Sequence, residues 1–400
     1  MLLDKRSIIF LIYVFVFALD SVLNYFYSIP LFVLSLISLF FLFLIPGFFS
    51  IKKYSSFLIV VIFFSVSLLL NILRSGFYKE SLSDYLFIMS FFGAFYFYAY
   101  TTKSNSQAST KKLINLFLVI SLILFLSTYI GFDQNLWGNT LGLKSNDIEY
   151  NRSYRQGFFR KAHIASYFFT FILLYFLNKY KTFGASIFVY ILTVLPLVTI
   201  ILLTGSRTPI IVISLGLIIY FFKAKFLKFL IPLATFGVLL IVYIDKVLVL
   251  FNNTIIYQYL TVIKTTFTNF SRLSRVIIWS SWWKEMKTFN IIDIFFGRGF
   301  NASIEANLRN TANSIWFHND FLSITYSYGI LPLILYIIIF INIYKRHKGI
   351  IKGNVFIFLA FSSFWLSAFF NGFYYYYPIL LLYLFYVMIY EKNEDNYIRD

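Results

Sequence analysis

Residues 316–348 read WFHNDFLSITYSYGILPLILYIIIFINIYKRHK, and this stretch decides what kind of chain it is. A polar loop gives way at Asn319 to an apolar run, read as a helical span over 319–343, and the run stops at a basic cluster, KRHK. An apolar run of this kind is long enough to cross the hydrocarbon core of a bilayer, and Lys and Arg collect at the cytoplasmic end of such spans. Similar runs recur from end to end. The chain is 60% hydrophobic and 12% charged, where soluble domains run about 45–50% and about 25%. Lipid offers backbone groups no partner, so the spans must be helices.

Twelve spans are expected: 8–26, 30–50, 54–73, 83–100, 113–131, 162–178, 185–203, 208–222, 226–244, 319–343, 354–370 and 374–390. The basic start MLLDKRSIIF precedes the first, with no small-residue cleavage site after it, so it reads as an uncleaved span. An even count puts both termini on one side. With the termini inside, 18 of the 34 Lys and Arg fall in cytoplasmic segments, and the short outward loops hold only Arg74, Lys79 and Arg207. The net charge of +18 thus reads as orientation, and nucleic acid is not an expected partner. There is no cysteine, so thiolate chemistry and disulfides are excluded.

The expected fold is therefore all-α: residues 1–400 form a single polytopic membrane domain with two elaborated outward loops, 132–161 and 245–318. In the larger loop, 255–267 and the stretch from Ser271 carry helical spacing suited to helices in the interface. The second would put Leu273, Val276, Trp279 and Trp283 on one stripe.

Lysines do the orienting, with 15 of 22 on the cytoplasmic side, whereas nine of 12 arginines face outward. Arginine is the better residue for fixed, bidentate binding of phosphate or carboxylate. Five of the six tryptophans also lie outward: Trp137, Trp279, Trp282, Trp283 and Trp316. Two readings of them are open, an interfacial belt or stacking platforms for sugar rings. The same holds for the cations and the imidazole. Arg207 could snorkel from a helix end, Arg272 and Arg275 could be solvated loop charges, and His318 could be a hydrogen-bonding helix start. Taken together they put an imidazole and several guanidiniums on one face. That set suits group transfer from a phosphate leaving group, with Arg neutralising charge and His taking a proton. The outward acids form no Asp-x-Asp pair and the histidines lack ligand spacing, so no metal or cofactor is expected. Gly297 and Gly299 in FFGRGF follow no nucleotide-binding pattern and read as a turn.

These stretches resemble, in order, the motifs of the O-antigen polymerase and O-antigen ligase superfamily. His318-Asn319, nine residues, Gly329, two residues and Pro332 resemble the ligase-type histidine motif, which ends in a small residue or Tyr. TGSR ending at Arg207 resembles its outward arginine turn, with Ile211 where the ligase form has Leu. Arg155 to Phe158 resembles an Arg-x-Gly-Phe element, and Arg275 to Trp279 followed by FGRGF resembles its Arg–Trp and Gly-x-Gly run. The resemblance implies a GT-C-like, metal-independent glycosyltransferase of the bacterial inner membrane. Its active site would be periplasmic, both termini cytoplasmic, and its donor an oligosaccharide on undecaprenyl diphosphate. It implies that His318 activates the acceptor hydroxyl and that Arg207 and Arg155 bind diphosphate with Arg275 assisting. Arg160, Arg272 and Asn319 complete the expected substrate-binding set. Membrane lipid and a chain-length regulator are candidate partners. The departures at Pro332 and Ile211 favour polymerase over ligase. A transporter or flippase is a third reading, opposed by spans almost free of charge and by the lack of matching halves.

Overall fold

The computed structural model describes residues 51–101, 145–147, 152–154, 162–183, 187–204, 243–250, 274–312 and 315–370, with Gly372 and isolated positions between 209 and 264. Helix α1 (Ile51–Ser75) and helix α2 (Lys79–Thr101) pack against each other across the turn at 76–78. Leu58–Ser75 has a mean hydropathy of 2.2, and among the described residues α1 is the one helix long and apolar enough to cross a membrane. Helices α3 (Ala162–Phe183) and α4 (Ile187–Leu203) form a second packed pair. Shorter apolar stretches lie at Ser166–Asn178, Ile191–Leu202 and Val355–Phe369. The expected spans at 54–73, 83–100, 162–178, 185–203 and 354–370 thus coincide with helices. Those at 8–26, 30–50, 113–131, 208–222, 226–244 and 374–390 lie, apart from isolated positions and the end of 226–244, outside the described residues.

Two findings depart from the all-α expectation of unbroken spans. In the loop 132–161, strand β1 (Ser145–Asp147) pairs antiparallel with β2 (Arg152–Tyr154), the register setting Asp147 opposite Arg152. The ladder gives this polar segment partners for backbone groups that a loop would leave to water. The second departure lies in the stretch quoted first. The expected span 319–343 is two helices, α9 (Asp320–Tyr328) and α10 (Ile330–Arg346), separated at Gly329. Short α11 (Lys348–Gly353) and α12 (Val355–Phe370) follow.

The described residues of the loop 245–318 are mostly helical. After α5 (Ile244–Leu250) come α6 (Ser274–Met286), α7 (Ile291–Phe296) and α8 (Phe300–Thr311). Helix α6 packs on α8 and both touch α9; α7 packs on α9 and α10. The stripe expected on α6 is met in part, since Trp279 packs against the cluster around Ile278 and Phe317. Trp283 is 61% exposed, while Ile278, Ser281 and Trp282 face inward. The inward side is partly polar because its groups have partners there: Ser281 Oγ donates to the Ala306 carbonyl at 3.3 Å, and Glu285 accepts from the Tyr326 hydroxyl, Arg309 and Asn310. The companion stretch at 255–267 lies outside the described residues except for single positions.

Between α1, α2 and α10 the core is aromatic. Phe64 meets Phe92 at 5.3 Å and Tyr328 at 4.9 Å; Phe91 meets Tyr336 at 5.3 Å; Phe340 meets Trp365 at 4.8 Å. Lipid tails are as apolar as these rings, so burial alone does not drive helices together in a bilayer; close packing does. Tilted and edge-on ring pairs of this kind contribute about 0.5–1.5 kcal/mol each. His347, read as one charge of a cytoplasmic cluster, is buried at the α10–α11 junction, where its backbone carbonyl accepts from Ile351 N at 2.8 Å.

Candidate functional site

The break at Gly329 is built from three glycines and four donors. Gly329 has φ +93°, and a Cβ there would overlap the Phe295 carbonyl; a Cβ on Gly297, with φ +72°, would overlap the backbone of Ser327 and Tyr328. Side chains are thus barred from both positions, which lets the turn 297–299 lie flat against the end of α9. There Arg298 N donates to Tyr326 O at 2.8 Å and Gly299 N to Ser327 O at 3.1 Å. Asn71 Nδ2 donates to Ser327 O at 3.0 Å and Ser67 Oγ to Tyr328 O at 2.9 Å, both from α1. With Gly329 N shared between Ile324 O and Thr325 O, every carbonyl from 324 to 328 has a donor. A helix end leaves four such carbonyls open, and each would be costly in lipid. Ion pairs tie the turn down: Asp293 bridges Arg74, at 3.0 Å, and Arg298, at 2.9 Å.

The other end of α9 carries the histidine. Asn319, 1% exposed, is the N-cap, its Oδ1 accepting from Leu322 N at 3.1 Å. His318 just before it has φ +52°, a left-handed conformation that costs a side-chain-bearing residue of order 1–3 kcal/mol. The neighbours on each side impose it. Phe317 is fully buried in the cluster with Ile278, Ala306 and Tyr326, and its carbonyl accepts from Trp279 Nε1 at 3.2 Å. On the other side, Asp320 is fully buried and accepts a hydrogen bond from the Tyr336 hydroxyl of α10. With both flanks pinned, the chain between them must turn at His318. Its carbonyl accepts from Arg275 Nη1 at 3.2 Å, and its half-buried ring lies 4.9 Å from that of Trp316, tilted by 39°.

Of the expected site residues, the structure brings Arg275, His318 and Asn319 together. Arg207, Arg155, Arg160 and Arg272 lie outside the described residues. Asn319 has its side-chain oxygen committed to the helix cap. Sequence reasoning passed over Asp320, noted only among the outward acids although it adjoins His318-Asn319. It also passed over Trp316 as the ring against the histidine, and over the docking of 297–299 on Gly329, for which a glycine inside an apolar run was the available signal. Among the described residues, no group of three or more His, Asp or Glu is placed to hold a metal.

The arrangement is a half-exposed imidazole at a broken helix, beside an arginine and a tryptophan, under a folded loop on apolar helices. Residues 191–337 match the family model for O-antigen ligase, which places this segment in the O-antigen polymerase and ligase superfamily. These are glycosyltransferase-like enzymes of the inner membrane that act on lipid-linked oligosaccharides in polysaccharide biosynthesis. The matched segment contains Arg207, Arg275, the 297–299 turn, His318 and Gly329. No curated protein and no solved structure matches the chain.

Proposed function

We propose that the protein is a surface-polysaccharide polymerase, joining oligosaccharide repeat units carried on undecaprenyl diphosphate at the periplasmic face of the inner membrane. The observation that carries this reading is Arg275 held against the His318 carbonyl, with the imidazole half-exposed on the Trp316 ring. The histidine takes the proton of the acceptor hydroxyl as that oxygen attacks the anomeric carbon of the donor sugar. Arginine, fixed in charge and planar, neutralises the diphosphate as the glycosidic bond to it breaks. Arg207 and Arg155 grip the diphosphate, with Arg275, Arg272 and Arg160 beside them, and no metal is required. A chain-length regulator is a partner compatible with this role.

Transfer of the glycan to lipid A-core is the second reading, favoured by the description of the matched family as O-antigen ligase. Lipopolysaccharide gels of a deletion strain, complemented with wild type or His318→Ala, separate the two. Core bearing one repeat unit and no ladder supports polymerase; bare core with polymer left on the carrier supports ligase. An unchanged ladder in the deletion strain rejects both. In the complemented strain, Arg207→Ala is expected to abolish extension and Arg207→Lys to leave it impaired, since a point charge cannot hold diphosphate in two places at once.

A further inference from the structure

Helix α12 lies beyond residue 337, where the match to the family ends, yet two of its residues and the glycine after it reach α9 and the segment before it. Trp365 stacks on Phe321 of α9, with ring centres 6.0 Å apart and planes 10° from parallel. Phe369 meets the ring of Trp279 edge-on at 5.2 Å, and Trp279 Nε1 is the donor that holds the Phe317 carbonyl. Gly372, at φ +78°, meets Trp316: a Cβ there would overlap Cη2 of that ring and come within 2.8 Å of Asp320 Oδ1. Positions 365, 369 and 372 follow the i, i+4, i+7 spacing of one helix face, so α12 presents a single edge to the histidine segment. Gly372 must be glycine for two reasons. Its left-handed φ disfavours a side chain, and the Trp316 ring fills the space where one would go.

The buried flanks at Phe317 and Asp320 fix the backbone of His318, but its ring still turns about its own side-chain bonds. Half-exposed, the imidazole is not held by packing all round. The Trp316 ring, 4.9 Å away, is a wall against which it rests. Trp316 belongs to no helix and is itself only half-buried, so the wall is as firm as whatever backs it. The backing is the bare backbone at Gly372. A general base must lie within hydrogen-bond reach of the proton it takes, and a misplacement of about 1 Å can cost about 10²-fold in rate.

We infer that this edge of α12 is a positioning element for the reaction, and that Gly372 sets the His318 imidazole by seating Trp316. The chemistry it serves rests on the transferase reading. The chain has three histidines, so the full chain in nanodiscs, with isotope-labelled histidine, gives three ring signals by NMR, and His318→Ala assigns one of them. Gly372→Ala is expected to move the His318 signal and leave those of His163 and His347 in place. It is also expected to lower kcat for extension about 10–10²-fold with KM little changed. Phenylalanine lacks the outer atoms of the indole, so Gly372→Ala added to Trp316→Phe should lower kcat little beyond Trp316→Phe alone. An unmoved His318 signal, or the same further loss from Gly372→Ala with either ring at 316, would overturn the proposal. Should Gly372→Ala not fold, Phe369→Leu tests the same edge. A lower kcat at unchanged melting supports the proposal there, and a wild-type kcat overturns it. If the wild type extends nothing, the transferase reading fails, while the histidine signal still tests whether Gly372 sets the imidazole.

Discussion

The two ends of α9 are built on opposite terms. At Gly329 strain is avoided, because glycine adopts the positive φ without penalty and every carbonyl from 324 to 328 has a donor. At His318 strain is kept, because a residue with a side chain is held at φ +52° by flanks that are themselves buried. A helix end that only had to be stable would resemble the first. The second spends stability to hold one imidazole in a fixed place, which is the pattern expected where strain and function coincide.

Breaking the quiet end should have the largest effect. Gly329→Ala and Gly297→Ala each set a Cβ into backbone at a positive φ, and a loss of about 4 kcal/mol or more is expected. It would read as loss of folded protein in nanodisc melting and of all extension; near-wild-type melting in either variant would mean the turn is not docked as described. Next, His318→Gly separates strain from chemistry. Extension should fall about 10²–10⁴-fold, while stability should rise by about 1 kcal/mol as the positive φ is relieved. A variant that is inactive and also less stable would make His318 a structural residue. Arg275→Lys should slow extension about tenfold with melting nearly unchanged, and a wild-type rate would remove Arg275 from the site. The smallest effect belongs to the cap: Asn319→Ala should cost about 1 kcal/mol in melting, and Asn319→Ser should restore most of it.

The helices at 54–73, 83–100 and 354–370 were legible because an apolar run of span length leaves lipid-compatible backbone no alternative to a helix. So was the place of His318 at a helix start, where the polar loop meets the apolar run. The break at Gly329 was not, because the apolar run continues across it and its cause is a turn some thirty residues earlier in the chain. Arg275 against His318 spans 43 positions, a pairing that local spacing cannot show. On α6 the helical period was readable and the phase only in part, since half-buried Glu285 and buried Ser281 lie on the inward side by hydrogen bonding that hydrophobic pattern does not register.

Apart from Gly329 N, the donors that close the end of α9 come from residues 67, 71, 298 and 299, all of which precede the carbonyls they serve. As the chain leaves the ribosome, α1 and the 297–299 turn are therefore made before the segment that needs them. Helix α9 can dock on partners that are already made, without an interval in which those carbonyls lack them. The glycine turn thus sets an order of assembly, and a chain in which α1 were moved behind residue 329 would lose that protection even with every residue retained.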